Sequence, residues 1–123
     1  GQAPKPGTSE LQLIIVGDTH GQLADVLWIF YKNGVPSPTN RYLVNGDICD
    51  RGTMASEIWA LLLAFKCVWP EAVSIQRGNH EDRLLNMDFH CGGFYDEVLS
   101  KYGRTSGMGA LVYEKFARLF ARL

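Results

Sequence analysis

An α/β fold built on a mostly parallel sheet is predicted for this chain by three observations. Short β-branched runs alternate with stretches of helical periodicity in the order strand, helix, strand, helix, strand. The links between them are short, as right-handed crossover units require. Each strand also ends in a glycine-bearing turn rich in acidic and imidazole side chains, where sites form in parallel sheets.

Residues 1–9, rich in Pro, Gly and polar side chains, predict a flexible lead-in, and residues 10–123 the domain. Leu11 to Val16 is an apolar, partly β-branched strand ended by Gly17. Leu23, Val26, Leu27, Phe30 and Tyr31 share one face of a helix that Asn33-Gly34 stops. Pro36-Ser37-Pro38 keeps the next link extended. Tyr42 to Val44 predicts a second strand, Met54 to Phe65 a second helix, and Val73 to Ile75 a third strand. Beyond Glu81 the pattern turns helical. One helix spans Phe94 to Tyr102, ended by Gly103, and a second runs from about Ala110, with Val112, Phe116, Leu119, Phe120 and Leu123 on one face. Gly107-Met108-Gly109 between them predicts a flexible link.

With 123 residues the chain makes one domain. Lys and Arg (12) nearly balance Asp and Glu (13), and a net charge of −1 makes no electrostatic case for a nucleic-acid or membrane partner. The apolar run Ile58 to Phe65 is too short to span a bilayer. Three cysteines, Cys49, Cys67 and Cys91, without CxxC spacing, argue against a disulfide framework or zinc cage. They favour a reducing compartment, hence a cytoplasmic or nuclear protein.

The three turns read Gly17-Asp18-Thr19-His20-Gly21, Gly46-Asp47-Ile48-Cys49-Asp50-Arg51-Gly52 and Gly78-Asn79-His80-Glu81. Asp18, His20, Asp47 and Asn79 offer carboxylate, imidazole and amide oxygen, a mixture that suits Mn, Fe or Zn. A carboxylate such as Asp47 can bridge two ions roughly 3.5–4 Å apart, which together make hydroxide available near neutral pH and spread phosphoryl charge. Arg51 supplies a guanidinium fork for phosphate. His80 is the natural general acid for a leaving alkoxide, and Asp50 the natural partner to orient it. Three such turns in one chain indicate a two-metal phosphoesterase.

Other features take plainer readings. His90 is expected to be a solvated loop residue, and Cys49 a small buried one. Trp28, Trp59 and Trp69 are expected in packing. Lys115, Arg118 and Arg122 form a basic stripe whose default is a solvated helix face.

These residues resemble the phosphoprotein phosphatase family of serine/threonine phosphatases, which carries GDxHG, GDxxDRG and GNHE in this order. The resemblance extends through Gly93 to Gly103 and covers about residues 11–123. It implies the N-terminal half of a calcineurin-like metallophosphoesterase fold. By it, Asp18 and His20 would bind a first metal, Asp47 would bridge, and Asn79 would bind a second and touch phosphate. Arg51 would hold phosphate, and His80 with Asp50 would form the acid pair. The implied activity is hydrolysis of phosphoserine and phosphothreonine in proteins, with regulatory subunits or domains as further partners. The third signature and the spacing after Tyr102 look most like the EF-hand-containing, retinal-degeneration-C-like branch.

The chain departs from the family at Ile48-Cys49, at Gln76, and in a longer interval from Glu81 to Phe94. The family's further His ligands and second phosphate-binding Arg have no counterpart here. The chain is therefore expected to be part of a catalytic domain, with little activity alone and an apolar sheet face left open. Two alternatives stay open. One is another two-metal phosphoesterase, such as a diadenosine tetraphosphatase or a nuclease. The other is a non-catalytic binding module.

Overall fold

The computed structural model describes residues 10–88 and 93–123. The expected lead-in, His90 and Cys91 lie outside the described residues. The elements run β1 (Gln12–Val16), α1 (Leu23–Asn33), β2 (Asn40–Val44), α2 (Ala55–Val68), β3 (Val73–Ile75), α3 (Arg83–Asp88), α4 (Phe94–Tyr102) and α5 (Met108–Phe120). The strands form one parallel sheet in the order β1-β2-β3. Val16 pairs with Val44 and Val44 with Ile75, so the three strands end level. That register is what brings the three signature turns side by side.

One face of the sheet is covered. Val16, Tyr42 and Val44 are buried with Val26 and Phe30 of α1 and Ile58 and Leu62 of α2. The tyrosine hydroxyl and the Asn40 amide also close the end of α1. Tyr42 donates to the Gly34 carbonyl at 2.5 Å, and Asn40 Nδ2 to those of Asn33 and Val35. The alternate residues Leu13 and Ile15 stand open at 61% and 68% exposure, as expected of an incompletely covered sheet. Among the described residues no helix is long and apolar enough to cross a membrane.

Helices α4 and α5 form a hairpin against α2 through aromatic packing. Trp59 meets Phe120 at a 5.0 Å centroid distance, and Phe94 lies 5.1 and 5.6 Å from Phe116 and Phe120. The Gly107-Met108-Gly109 link is not flexible: α5 begins at Met108. Gly109 is a contact glycine, since an added Cβ would fall 2.5 Å from the Gly103 carbonyl oxygen and 2.8 Å from Leu99 Cα. Two further expectations fail on burial. Trp59 is buried, but Trp28 (57%) and Trp69 (36%) are exposed, and so are Leu27 and Tyr31. The contacts of α1 bury only its Val26–Phe30 stripe. The basic side chains of α5 are exposed, as expected.

The N-terminus of α2 is capped from α4. Glu97 accepts from the Ala55 and Ser56 amides at 3.1 and 2.7 Å. Removing those acceptors with Glu97→Ala is expected to cost about 2 kcal/mol, as for loss of a strong helix cap. At this chain length that is a fall of roughly 5–10 °C in Tm, measurable by circular dichroism.

Candidate metal and phosphate site

The three turns are stitched together through their backbones. The amides of Thr19 and His20 donate to the Asp47 carbonyl, and Gly21 N–H to that of Ile48. The second and third turns meet at Gly46 and Gly78, where an added Cβ on Gly46 would lie 2.7 Å from Gly78 Cα. Only glycine permits that approach. Among the described residues, all non-glycine residues with positive φ are predicted site residues: His20 (40°), Asp47 (53°), Asp50 (69°) and Arg51 (73°). Such conformations cost on the order of 1 kcal/mol or more each and concentrate at functional sites.

Asp18, His20 and Asp47 bring one ligand atom each to within 4.8 Å of one another. His20 Nε2 is 3.8 Å from Asp18 Oδ2, and its Nδ1 is 2.8 Å from the Cys49 carbonyl oxygen. A carbonyl can only accept, so Nδ1 carries the proton and Nε2 presents its lone pair to the cluster. Asn79 lies against the same carboxylate. With its nitrogen turned inward it donates to Asp47 Oδ1 and Oδ2 at 2.9 and 3.0 Å. With its oxygen turned inward it adds another hard donor beside them. The donor set fits a hard or borderline divalent cation.

His80 stands next to this cluster, its ring edge-on to His20 at 4.8 Å. Its Nδ1 is 2.8 Å from Oδ2 of the fully buried Asp50. The other Asp50 oxygen accepts from the Phe94 amide at 2.7 Å, at the N-terminus of α4, where the helix dipole favours an anion. The carboxylate therefore holds the proton on Nδ1 and fixes the orientation of the ring. Arg51 follows Asp50, with its side chain exposed.

One residue of the third signature was given no role by sequence reasoning. Glu81 is fully buried and accepts four backbone N–H bonds, from Asp47 (2.7 Å), Ile48 (2.8 Å), Cys49 (3.0 Å) and Gly78 (2.9 Å). It ties the second turn to the third. The available signal was an acidic residue inside a ligand-rich turn with no chemistry left for it. Cys49 is buried as expected. Burial, with the Glu81 charge next, holds its thiol well above the ordinary range, so it is no nucleophile.

Residues 11–123 match the model of the calcineurin-like phosphoesterases. Human serine/threonine-protein phosphatase with EF-hands 2 is 47% identical over 91 residues, covering 74% of this chain and 12% of that protein. Serine/threonine-protein phosphatase T of Schizosaccharomyces pombe is 48% identical over 97 residues, covering 79% and 20%. Relatives of the EF-hand type and of the T type are thus matched at near-equal identity. A solved Saccharomyces cerevisiae protein serine/threonine phosphatase with similarity to human phosphatase PP5 superposes with a TM-score of 0.80 at 36% identity. It covers 94% of this chain and 34% of that one. The chain thus spans only a fifth or less of these curated relatives. With parallel strands ending at three stitched turns, and a family match over nearly its whole length, the chain belongs to the calcineurin-like phosphoesterase family.

Proposed function

We propose that this chain is the amino-terminal part of the catalytic domain of a protein serine/threonine phosphatase that hydrolyses phosphoserine and phosphothreonine. The observation that carries the reading is the Asp18–His20–Asp47 donor cluster beside the buried His80–Asp50 pair. Asp18, His20 and Asp47 would hold one metal ion, and Asp47 with Asn79 a second. Bound there, the ions would supply an activated water and neutralise phosphoryl charge. Arg51 would fork two phosphate oxygens. His80 Nε2 would give its proton to the departing serine or threonine oxygen, while Asp50 keeps the ring in register. Further ligands and a second phosphate-binding Arg would come from residues outside these 123, so the isolated chain would turn over slowly. Phosphoproteins would be its substrates, regulatory subunits or domains its further partners, and the cytoplasm or nucleus its location.

Dialysis of the full-length protein against a chelator is expected to abolish turnover of a phosphoserine peptide, with Mn²⁺ restoring it. Diadenosine tetraphosphate and single-stranded DNA should be turned over far more slowly. Faster hydrolysis of either would favour a different phosphoesterase. Absent turnover of all three would favour a docking module, and turnover that survives the chelator would overturn the two-metal reading.

A further inference from the structure

Helix α5 lies outside the three turns, yet it reaches the acid through a buried hydrogen-bond chain. Tyr113 donates its hydroxyl to Asn86 Oδ1 at 2.6 Å, and Asn86 Nδ2 donates to the His80 carbonyl at 3.1 Å. Both Asn86 and Tyr113 are 1% exposed. The amide orientation is fixed from both ends, because the hydroxyl needs an acceptor and the carbonyl needs a donor. The phenol ring is held in turn. Tyr95 stands edge-on at 4.9 Å, and the Arg83 guanidinium lies 5.7 Å from the ring centre. Both arms of that guanidinium are bound by Glu114, at 2.7 Å each. Burial pushes the Tyr113 hydroxyl up to about 12, so it remains a donor throughout the neutral range.

The same hairpin grips the other member of the pair, since the first amide of α4 holds Asp50. Two side chains thus fix the peptide that follows the imidazole. Glu81 ties Gly78, two residues before the imidazole, to the second turn, and Asn86 pins the His80 carbonyl itself.

We propose that Asn86 and Tyr113 are positioning residues for the His80 proton donor, so that the α4–α5 hairpin sets the angle at which the acid meets the leaving group. The inference rests on the phosphatase reading of His80. Removing the hydroxyl leaves Asn86 Oδ1 buried without its donor, and the amide can then turn away from the His80 carbonyl. An imidazole free to shift by a fraction of an ångström loses proton transfer but leaves metal and phosphate binding alone.

The test uses leaving groups of different basicity in the full-length protein. Phenyl phosphate needs a proton donor, and p-nitrophenyl phosphate hardly needs one. Tyr113→Phe is expected to lower kcat for phenyl phosphate by about 10-fold or more, the scale of a misplaced catalytic group. Its KM, its bound manganese and its kcat for p-nitrophenyl phosphate should stay near wild type. Asn86→Asp, which keeps an acceptor for Tyr113 but loses the donor to His80, should show the same selectivity. His80→Asn, which removes the acid itself, should lower kcat for both substrates, and for phenyl phosphate by the larger factor. Equal losses on both substrates, or none in either variant beside a selective His80→Asn, would overturn the inference and leave the phosphatase reading standing. If His80→Asn is itself unselective, the acid assignment falls and the inference falls with it.

Discussion

Glu81→Ala is expected to lose a large part of the protein's stability and to be unable to hold metal. Four backbone amides, on Asp47, Ile48, Cys49 and Gly78, donate to this one carboxylate in a fully buried position. Each orphaned amide costs roughly 1–3 kcal/mol. Even with strong non-additivity the loss is about 4 kcal/mol or more, against a total stability of about 5–15 kcal/mol. Glu81→Gln keeps the shape and one acceptor oxygen but turns an NH₂ toward amide donors, so an intermediate loss is expected. Thermal melts give the ranking wild type, Gln, Ala. Hydrogen exchange locates the damage, because the amides of residues 47–49 and 78 should lose protection before those of the β2 ladder. Metal affinity of the Gln protein should drop by about 10–100-fold, as when a partner that orients a ligand is removed. Wild-type melting and unchanged protection in Glu81→Ala would show that the carboxylate is dispensable.

The uneven legibility of the sequence follows from the range of its signals. β3 and α4 fall on the predicted residues because alternation and helical period are local, and because Gly103 marks the end of α4. The start of α5 was missed because Gly109 is chosen for close approach to Leu99 and Gly103, and tertiary contact overrides its poor helix propensity. On α1 the period marks a wide stripe, but only Val26 and Phe30 are buried. Trp28 instead stacks on Tyr31 at 5.8 Å, with the Lys32 ammonium over its ring. The seven candidate site residues were legible because each turn carries its chemistry in consecutive positions. The structure gathers Asp18, His20 and Asp47 into one donor cluster and pairs His80 with Asp50, while Arg51 stands exposed. Glu97, Asn86 and Tyr113 left no such mark. Their partners lie 42, 6 and 27 residues away, and a buried polar residue meeting a distant amide has no local signature.

Gly78→Ala is expected to empty the metal site and to lower the stability of the fold. The added Cβ would fall 2.7 Å from Asp47 Cγ, and closer still to its Oδ1 and amide nitrogen. Ordinary contact needs at least 3.4 Å. Gly78 has no positive φ, so the conflict is one of space and not of backbone conformation. Asp47 has little room to retreat. Its amide is held by Glu81, its carbonyl takes two amides from the first turn, and its Oδ1 accepts the His80 amide at 3.1 Å. The carboxylate must therefore leave its place by roughly an ångström, a displacement that costs about 10²-fold when it falls on a catalytic group. Because the Asp47 backbone must also give way, the cost is about 3 kcal/mol or more, and the melt should fall well below wild type. The expected result in the full-length protein is a kcat for p-nitrophenyl phosphate lowered by about 10²-fold or more, with metal per protein well below wild type. Full metal content with wild-type turnover would mean that Asp47 is not where its carboxylate is needed. Set beside Glu81→Ala, the comparison separates two demands on one loop: Glu81 lets the second turn exist, and Gly78 leaves its carboxylate the space to bind.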